Sequence, residues 1–198
     1  MEIGLEGGFD APVLVSQTVF RAVMDALANP GSVQKLVTPH SIIGHLSPEL
    51  ASVLLTLTDH DTSIWLDESL RFEAVGTFVG FHASAPIVTD PGRAAFAFAM
   101  GATNLPPLDQ FNLGTQEYPD RSTTIVLALE AVTGGEPLVI RGPGIKDHDH
   151  ISPVGLPGDF LAQWAANREL FPRGIDLLLV ANGAVMGLPR STRISQGH

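Results

Sequence analysis

In Phe171–Arg193, FPRGIDLLLVANGAVMGLPRSTR, two apolar runs flank Asn182-Gly183. A two-residue type I′ turn needs φ > 0 at both central positions, which Asn-Gly supplies. The pair therefore predicts a hairpin in which Ala181 faces Ala184, Val180 faces Val185, Leu179 faces Met186 and Leu178 faces Gly187. Asp176 then falls opposite Pro189, and proline has no N–H for the ladder, so pairing should stop there. Beyond Asp176 the first run does not alternate apolar with polar, the pattern of a strand covered on both faces.

Upstream, residues 1–15 read as an irregular lead-in. Ser16 or Thr18 is placed to cap a helix with Val19, Phe20, Val23, Met24 and Leu27 on one face, which Asn29-Pro30-Gly31 ends. Val33–Val37 is a short strand. Ser47-Pro48-Glu49 combines a capping hydroxyl, a proline at the first helical position and an acid in the first turn. Leu50, Val53, Leu54 and Leu57 follow at helical spacing. Ile64–Leu66 is a strand, residues 68–83 a helix weakened by Gly76 and Gly80, Pro86–Val88 extended and Ala94–Met100 a buried strand. Asp90-Pro91-Gly92 opens a turn or short helix, and Leu105–Phe111 offers one or two helical turns. Thr123–Val132 is β-rich, and Gly134-Gly135 predicts a second hairpin returning through Pro137–Ile140. His148–Ser152 reads as a short strand. Asp159 is placed to cap a helix with Phe160, Leu161, Trp164 and Ala165 on one face. Helices alternating with strands, with hairpins late, predict an α/β fold with a mixed β-sheet. One domain over 1–198 is expected, with 194–198 a loose tail.

Composition narrows the function. The net charge of −10, with lysine only at positions 35 and 146, disfavours nucleic acid as a partner, because phosphate neutralisation needs many Lys and Arg. No apolar run is long enough to span a bilayer. The start, MEIGLEGGFDAP, lacks the basic stretch and apolar core of a signal peptide, so the cytoplasm is the expected compartment. Without cysteine there is no disulfide, thiolate or iron–sulfur chemistry. Charged residues are only 16% of the chain, which hints at surface covered by a partner.

Candidate chemistry is sparse. Asp147-His148-Asp149-His150 places two imidazoles on one strand face, as metal ligands or a metal hydrolase would use them, and Asp59-His60-Asp61 offers a second donor set. Neither has a third partner visible in sequence, and solvated turns are the expectation, with no metal. A Schiff-base lysine would have to be Lys35 or Lys146, and neither sits in an apolar surround. Gly142-Pro143-Gly144 matches neither a Walker nor a dinucleotide loop and reads as a strand-ending turn. No catalytic, cofactor-binding or metal residue is assigned, and no cofactor is expected. Arg121, ahead of Ser122-Thr123-Thr124, and Arg190 and Arg193, beside Ser191 and Thr192, are candidate contacts for an anion or a partner's carboxylates.

Several of these stretches, taken in order, resemble the PhnH family of the bacterial carbon–phosphorus lyase system. They are Phe20–Gly31, Leu54–Asp59, Trp65–Asp67, Gly114–Thr123, Gly142–Ile145, Trp164–Arg173, Gly174–Val180 and Leu188–Arg193. The one departure is in residues 72–83, which are richer in glycine and poorer in bulky side chains. The resemblance implies a fold like that of pyridoxal-phosphate-dependent transferases, a mixed sheet between helices without a functional cofactor site. It implies a homodimer that joins PhnG, PhnI and PhnJ in a core complex. With PhnG, PhnI and PhnL it would support formation of ribose 1-phosphonate 5-triphosphate in phosphonate catabolism. The expected role is a non-catalytic structural and interaction subunit. The alternative is an enzyme subunit whose Arg121, Arg190 or Arg193 contributes to that transfer.

Overall fold

In a computed structural model, which describes residues 7–40 and 44–197, Asn182 (φ 51°) and Gly183 (φ 70°) both adopt the left-handed backbone that their turn requires. Around them β8 (Asp176–Ala181) and β9 (Ala184–Leu188) pair in the predicted register, from Ala181 opposite Ala184 to Leu177 opposite Leu188. Pairing ends before Asp176 and Pro189, as the missing N–H dictates.

This hairpin is the join between the two parts of a seven-stranded sheet. On one side lie the parallel strands β5 (Thr124–Ala128), β4 (Phe96–Met100), β2 (Ile64–Leu66) and β3 (Ile87–Val88). On the other, β1 (Val33–Lys35) pairs antiparallel with β9. The order is β1-β9-β8-β5-β4-β2-β3, and β9 is the strand that runs against the rest. Both faces are covered, as the unbroken apolar run requires. Leu178, Val180 and Val126 face α1 (Pro12–Ala28), α2 (Pro48–Leu57) and α3 (Glu73–His82). Leu177, Leu179, Ile125 and Leu127 face α4 (Phe160–Glu169) and a smaller antiparallel sheet. That sheet has the order β10-β6-β7, from β6 (Leu138–Arg141), β7 (Asp149–Ile151) and β10 (Arg193–Gln196).

Local chemistry explains the elements that formed as expected. Ser47 Oγ accepts the Leu50 N–H and caps α2 behind Pro48. Asp90 accepts the Gly92 N–H ahead of a 3-10 turn at Pro91–Arg93, and a second such turn spans Leu108–Gln110. The 68–83 helix forms from Glu73, preceded by a 3-10 turn at Glu68–Leu70 that the buried Asp67 caps.

Five expectations are corrected. First, α1 starts at Pro12 rather than after residue 15. Ser16 and Thr18 lie inside it, and the Thr18 hydroxyl donates back to Leu14 O (3.0 Å). Second, the buried face of α1 is Val19, Val23 and Ala26, whereas Phe20 and Met24 are 51% and 48% exposed. The reason is Gly187: a Cβ there would stand 2.6 Å from the Ala26 carbonyl, so the small residues of α1 are the ones that reach β9. Third, β5 does not turn back through Gly134-Gly135. The chain runs beside 152–154 instead, through an Ala131–Val154 bridge and a Gly135 N–H to Ser152 O bond (2.7 Å), and β6 pairs with β7 and β10. Fourth, 194–196 is no loose tail: Arg193–Gln196 pairs with Arg141–Leu138. Fifth, Asp159 does not cap α4. Its carboxylate accepts from Gln163, and Ala165 is exposed while Asn167 is buried. The expectations for residues 1–6 and His198 fall outside the described residues.

Candidate functional site

The stretches 114–123, 171–176 and 188–193 are far apart in sequence and meet at one guanidinium. Arg190 donates from Nε (3.1 Å) and Nη2 to the Asp176 carboxylate, whose Oδ1 also accepts the Arg190 backbone N–H (2.7 Å). Its Nη1 donates to Pro119 O (2.6 Å) and Pro172 O (3.5 Å). The planar fork matches a carboxylate in a way that lysine does not. Both side chains are largely buried, at 14% and 21% exposure. Arg190, named above as a candidate contact for an anion or a partner, instead has its guanidinium engaged within the chain and joins three segments. The register that placed Asp176 opposite Pro189 was the signal that would have found this pair, since Arg190 is the next residue.

The same junction is braced from α4. Trp164 Nε1 donates to Thr192 O (2.9 Å), and buried Asn167 both donates to Ile175 O (3.0 Å) and accepts from Ile175 N (2.8 Å). Sequence reasoning missed Asn167. It lies three residues beyond Trp164, so it shares the inner face of the helix, and a polar residue there marks a backbone partner.

Arg121 is exposed and lies over the Tyr118 ring, 4.1 Å from its centroid. Arg193 is exposed on β10, opposite Arg141. The structure thus brings Arg121 and Arg190 to one junction, through Pro119, and puts Arg193 on the small sheet.

The metal candidates separate. Asp147, itself at φ 67°, bonds His148 Nδ1 (2.8 Å) and Arg141 (3.3 Å), and the His148 and His150 rings touch edge to face at 5.5 Å. The hydrogen bond and charge of His148, with Arg141 adding less, hold the Asp147 carboxyl below its ordinary value. Asp59 accepts from Thr62 and from the Asp61 N–H, which lowers its carboxyl likewise. Among the described residues no three His, Cys, Asp or Glu side chains come together as an ion would need. Lys35 and Lys146 are both exposed. Gly142-Pro143-Gly144 ends β6, and a Cβ at Gly144 would stand 2.4 Å from Ala28 O. Close approach to the end of α1 thus accounts for that glycine.

A further surface lies on α1. Val13, Leu14, Phe20 and Met24 are 48–71% exposed, and Phe20 and Met24 border a groove with Ser16, Gln17, Arg21 and Thr56. Monomer surfaces seldom carry such a stripe without a role in contact.

Fold and surface together define an α/β protein with a mixed sheet between layers, an internally bolted junction and an uncovered apolar helix face. Among the described residues no helix is long and apolar enough to cross a membrane. The family model for bacterial phosphonate metabolism protein (PhnH) matches residues 7–195, and the chain belongs to that family. It is 47% identical over 190 residues to the Rhizobium meliloti (strain 1021) alpha-D-ribose 1-methylphosphonate 5-triphosphate synthase subunit PhnH, covering 96% of this chain and 95% of that protein. It is 28% identical over 179 residues to a Stutzerimonas stutzeri protein named "Putative C-P lyase subunit protein HtxG", covering 90% and 85%.

Proposed function

We propose that this chain is a non-catalytic structural and interaction subunit of the carbon–phosphorus lyase machinery, acting in the cytoplasm as one cofactor-free domain. In this reading it forms a homodimer and joins PhnG, PhnI and PhnJ homologues, with PhnL acting alongside in the synthase step. The observation that carries the reading is the uncovered stripe of α1. The two relatives are both named as subunits, and a subunit needs a face to bury. In this reading the fold is like that of pyridoxal-phosphate-dependent transferases but without a working cofactor site, as the family resemblance implies. Co-expression with the PhnG, PhnI and PhnJ homologues should give one co-eluting complex. A chain that stays separate at micromolar concentration defeats the reading.

One observation favours a second reading, that the chain contributes substrate-positioning groups to the ribosyl-phosphonate transfer. It is Arg121, two residues past the Pro119 carbonyl that Arg190 holds, which among the described residues makes no ion pair within 4.0 Å.

A further inference from the structure

Among the described residues, five buried side-chain polar atoms lack a hydrogen-bond partner: His82 Nε2, Ser122 Oγ, Arg168 Nε, Arg173 Nε and Thr192 Oγ1. Four of these five lie on the segments that Arg190 and α4 hold together. An unmet buried polar group is unfavourable, more so on a charged side chain, so a group of them calls for partners from outside the chain, whether water or an anion.

The cluster is basic in an acidic protein. Arg121 and Ser122 follow Pro119, and Arg173 follows Pro172, so the two loops carrying them share the Nη1 atom of Arg190. Arg168 joins them from α4. It lies one helical turn past Trp164, which bonds Thr192 O, and its guanidinium stands 5.0 Å from the centre of the Phe171 ring. Arg168 is in the last turn of α4, where a cation complements the helix dipole, yet it bonds no carbonyl there. Among the described residues, Arg121, Arg168 and Arg173 make no side-chain hydrogen bond and no ion pair within 4.0 Å. The neighbouring Asp120 and Glu169 pair with none of them. Arg190, by contrast, donates from all three guanidinium nitrogens and ties together the loops that carry Arg121 and Arg173.

We infer that Arg121, Ser122, Arg168 and Arg173 form a binding site for the polyphosphate chain of a small-molecule ligand. Three guanidiniums and a hydroxyl fit a multivalent oxyanion better than a single carboxylate. The Rhizobium relative is named for a 5-triphosphate product, which carries such a chain. A mostly apolar groove of about 320 Å³, lined by Leu108, Asp109, Leu113, Ala166, Asn167 and Leu170, lies beside the loop that carries Arg173. Leu113 O accepts the Gly174 N–H and Leu170 O the Arg173 N–H, so the wall of the groove and the arginine loop are one structure. The groove gives the rest of a nucleotide-type ligand apolar surface. This inference rests on the second reading above and extends it from Arg121 to two arginines it did not include.

The test is calorimetric titration of the full chain with sodium tripolyphosphate at low salt, and then with ATP. Saturable binding is expected, with ATP at least as tight. Arg121→Gln, Arg168→Gln and Arg173→Gln should each weaken it about tenfold, because each removes a charge-assisted contact. Arg21→Gln, on the α1 face, should leave it unchanged, and added salt should weaken it. Arg121 is exposed, so its substitution reports on binding even where the partly buried arginines disturb folding. Absence of saturable binding at millimolar tripolyphosphate overturns the site, as does equal loss in Arg21→Gln, while failure of ATP alone overturns the ligand class. Loss of partner assembly in the arginine variants with no polyphosphate binding would make the cluster a protein contact instead and overturn the inference. Co-elution of the unaltered chain is measured separately, so a chain that assembles but binds no polyphosphate refutes this inference alone.

Discussion

Asp176 and Arg190 face each other at the open end of the β8–β9 hairpin, and the carboxylate takes both the backbone N–H and the guanidinium of its partner. Arg190→Ala leaves a mostly buried carboxylate without its cation, with only the backbone N–H to bond, and frees the carbonyls of Pro119 and Pro172. Breaking a largely buried pair from one side costs about 2–4 kcal/mol. Urea denaturation should show that loss, and Arg190→Lys should recover only part of it because an ammonium cannot fork. A loss under about 0.5 kcal/mol would refute the bolting role.

Gly187→Ala should be more damaging than its size suggests. The added methyl meets backbone atoms of Ala26 and Leu27 at 2.6–2.8 Å, and backbone cannot rotate aside. Overpacking of this kind costs about 1–3 kcal/mol. Thermal melts should show the drop, and α1 should lose protection from hydrogen exchange before the rest of the sheet.

Phe20→Ser with Met24→Ser separates assembly from folding. Both side chains are about half exposed, so stability should stay within about 0.5 kcal/mol of the parent. Co-elution with partner subunits, or dimerisation followed by sedimentation, should fall. Full assembly by the double variant would move the interface elsewhere.

The Asp147 carboxyl is held below its ordinary value of 3.8 by His148 first and Arg141 second. A depressed folded-state value means that the contact stabilises the fold above the ordinary carboxyl value and is lost as acid carries the pH down through the depressed one. NMR titration should find the Asp147 midpoint low in the parent and close to ordinary in His148→Ala. An unchanged midpoint in that variant would show the pairing absent in solution.

What could be read in the chain beforehand depended on how local the cause was. The hairpin register followed from one dipeptide whose backbone requirement admits few alternatives, and the cap of α2 from three adjacent residues. The face of α1 was misassigned because its orientation depends on a glycine some 160 residues away, and periodicity carries no record of how near a helix may come to a sheet. Gly134-Gly135 has the composition of a hairpin turn, but β5 is apolar from Ile125 on and has two parallel neighbours to satisfy it. Arg121 and Arg190 were singled out as one kind of residue, yet only three-dimensional partners distinguish an arginine with its donors filled from one without. Arg168 and Arg173 had no sequence mark beyond their charge.

The seat of α1 on β9 also sets an order of events during synthesis. Residues 12–28 are made first, while the strand that their inner face must cover is not made until residues 184–188. Until then Val19, Val23 and Ala26 lack β9, the strand they chiefly cover. The nascent chain therefore carries this helix only partly covered, by α2 and β1, and contacts so distant in sequence as those with β9 form late. Closure of α1 onto Gly187 hides one side and fixes the other outward, so the apolar stripe becomes a defined surface only in a chain whose sheet is finished.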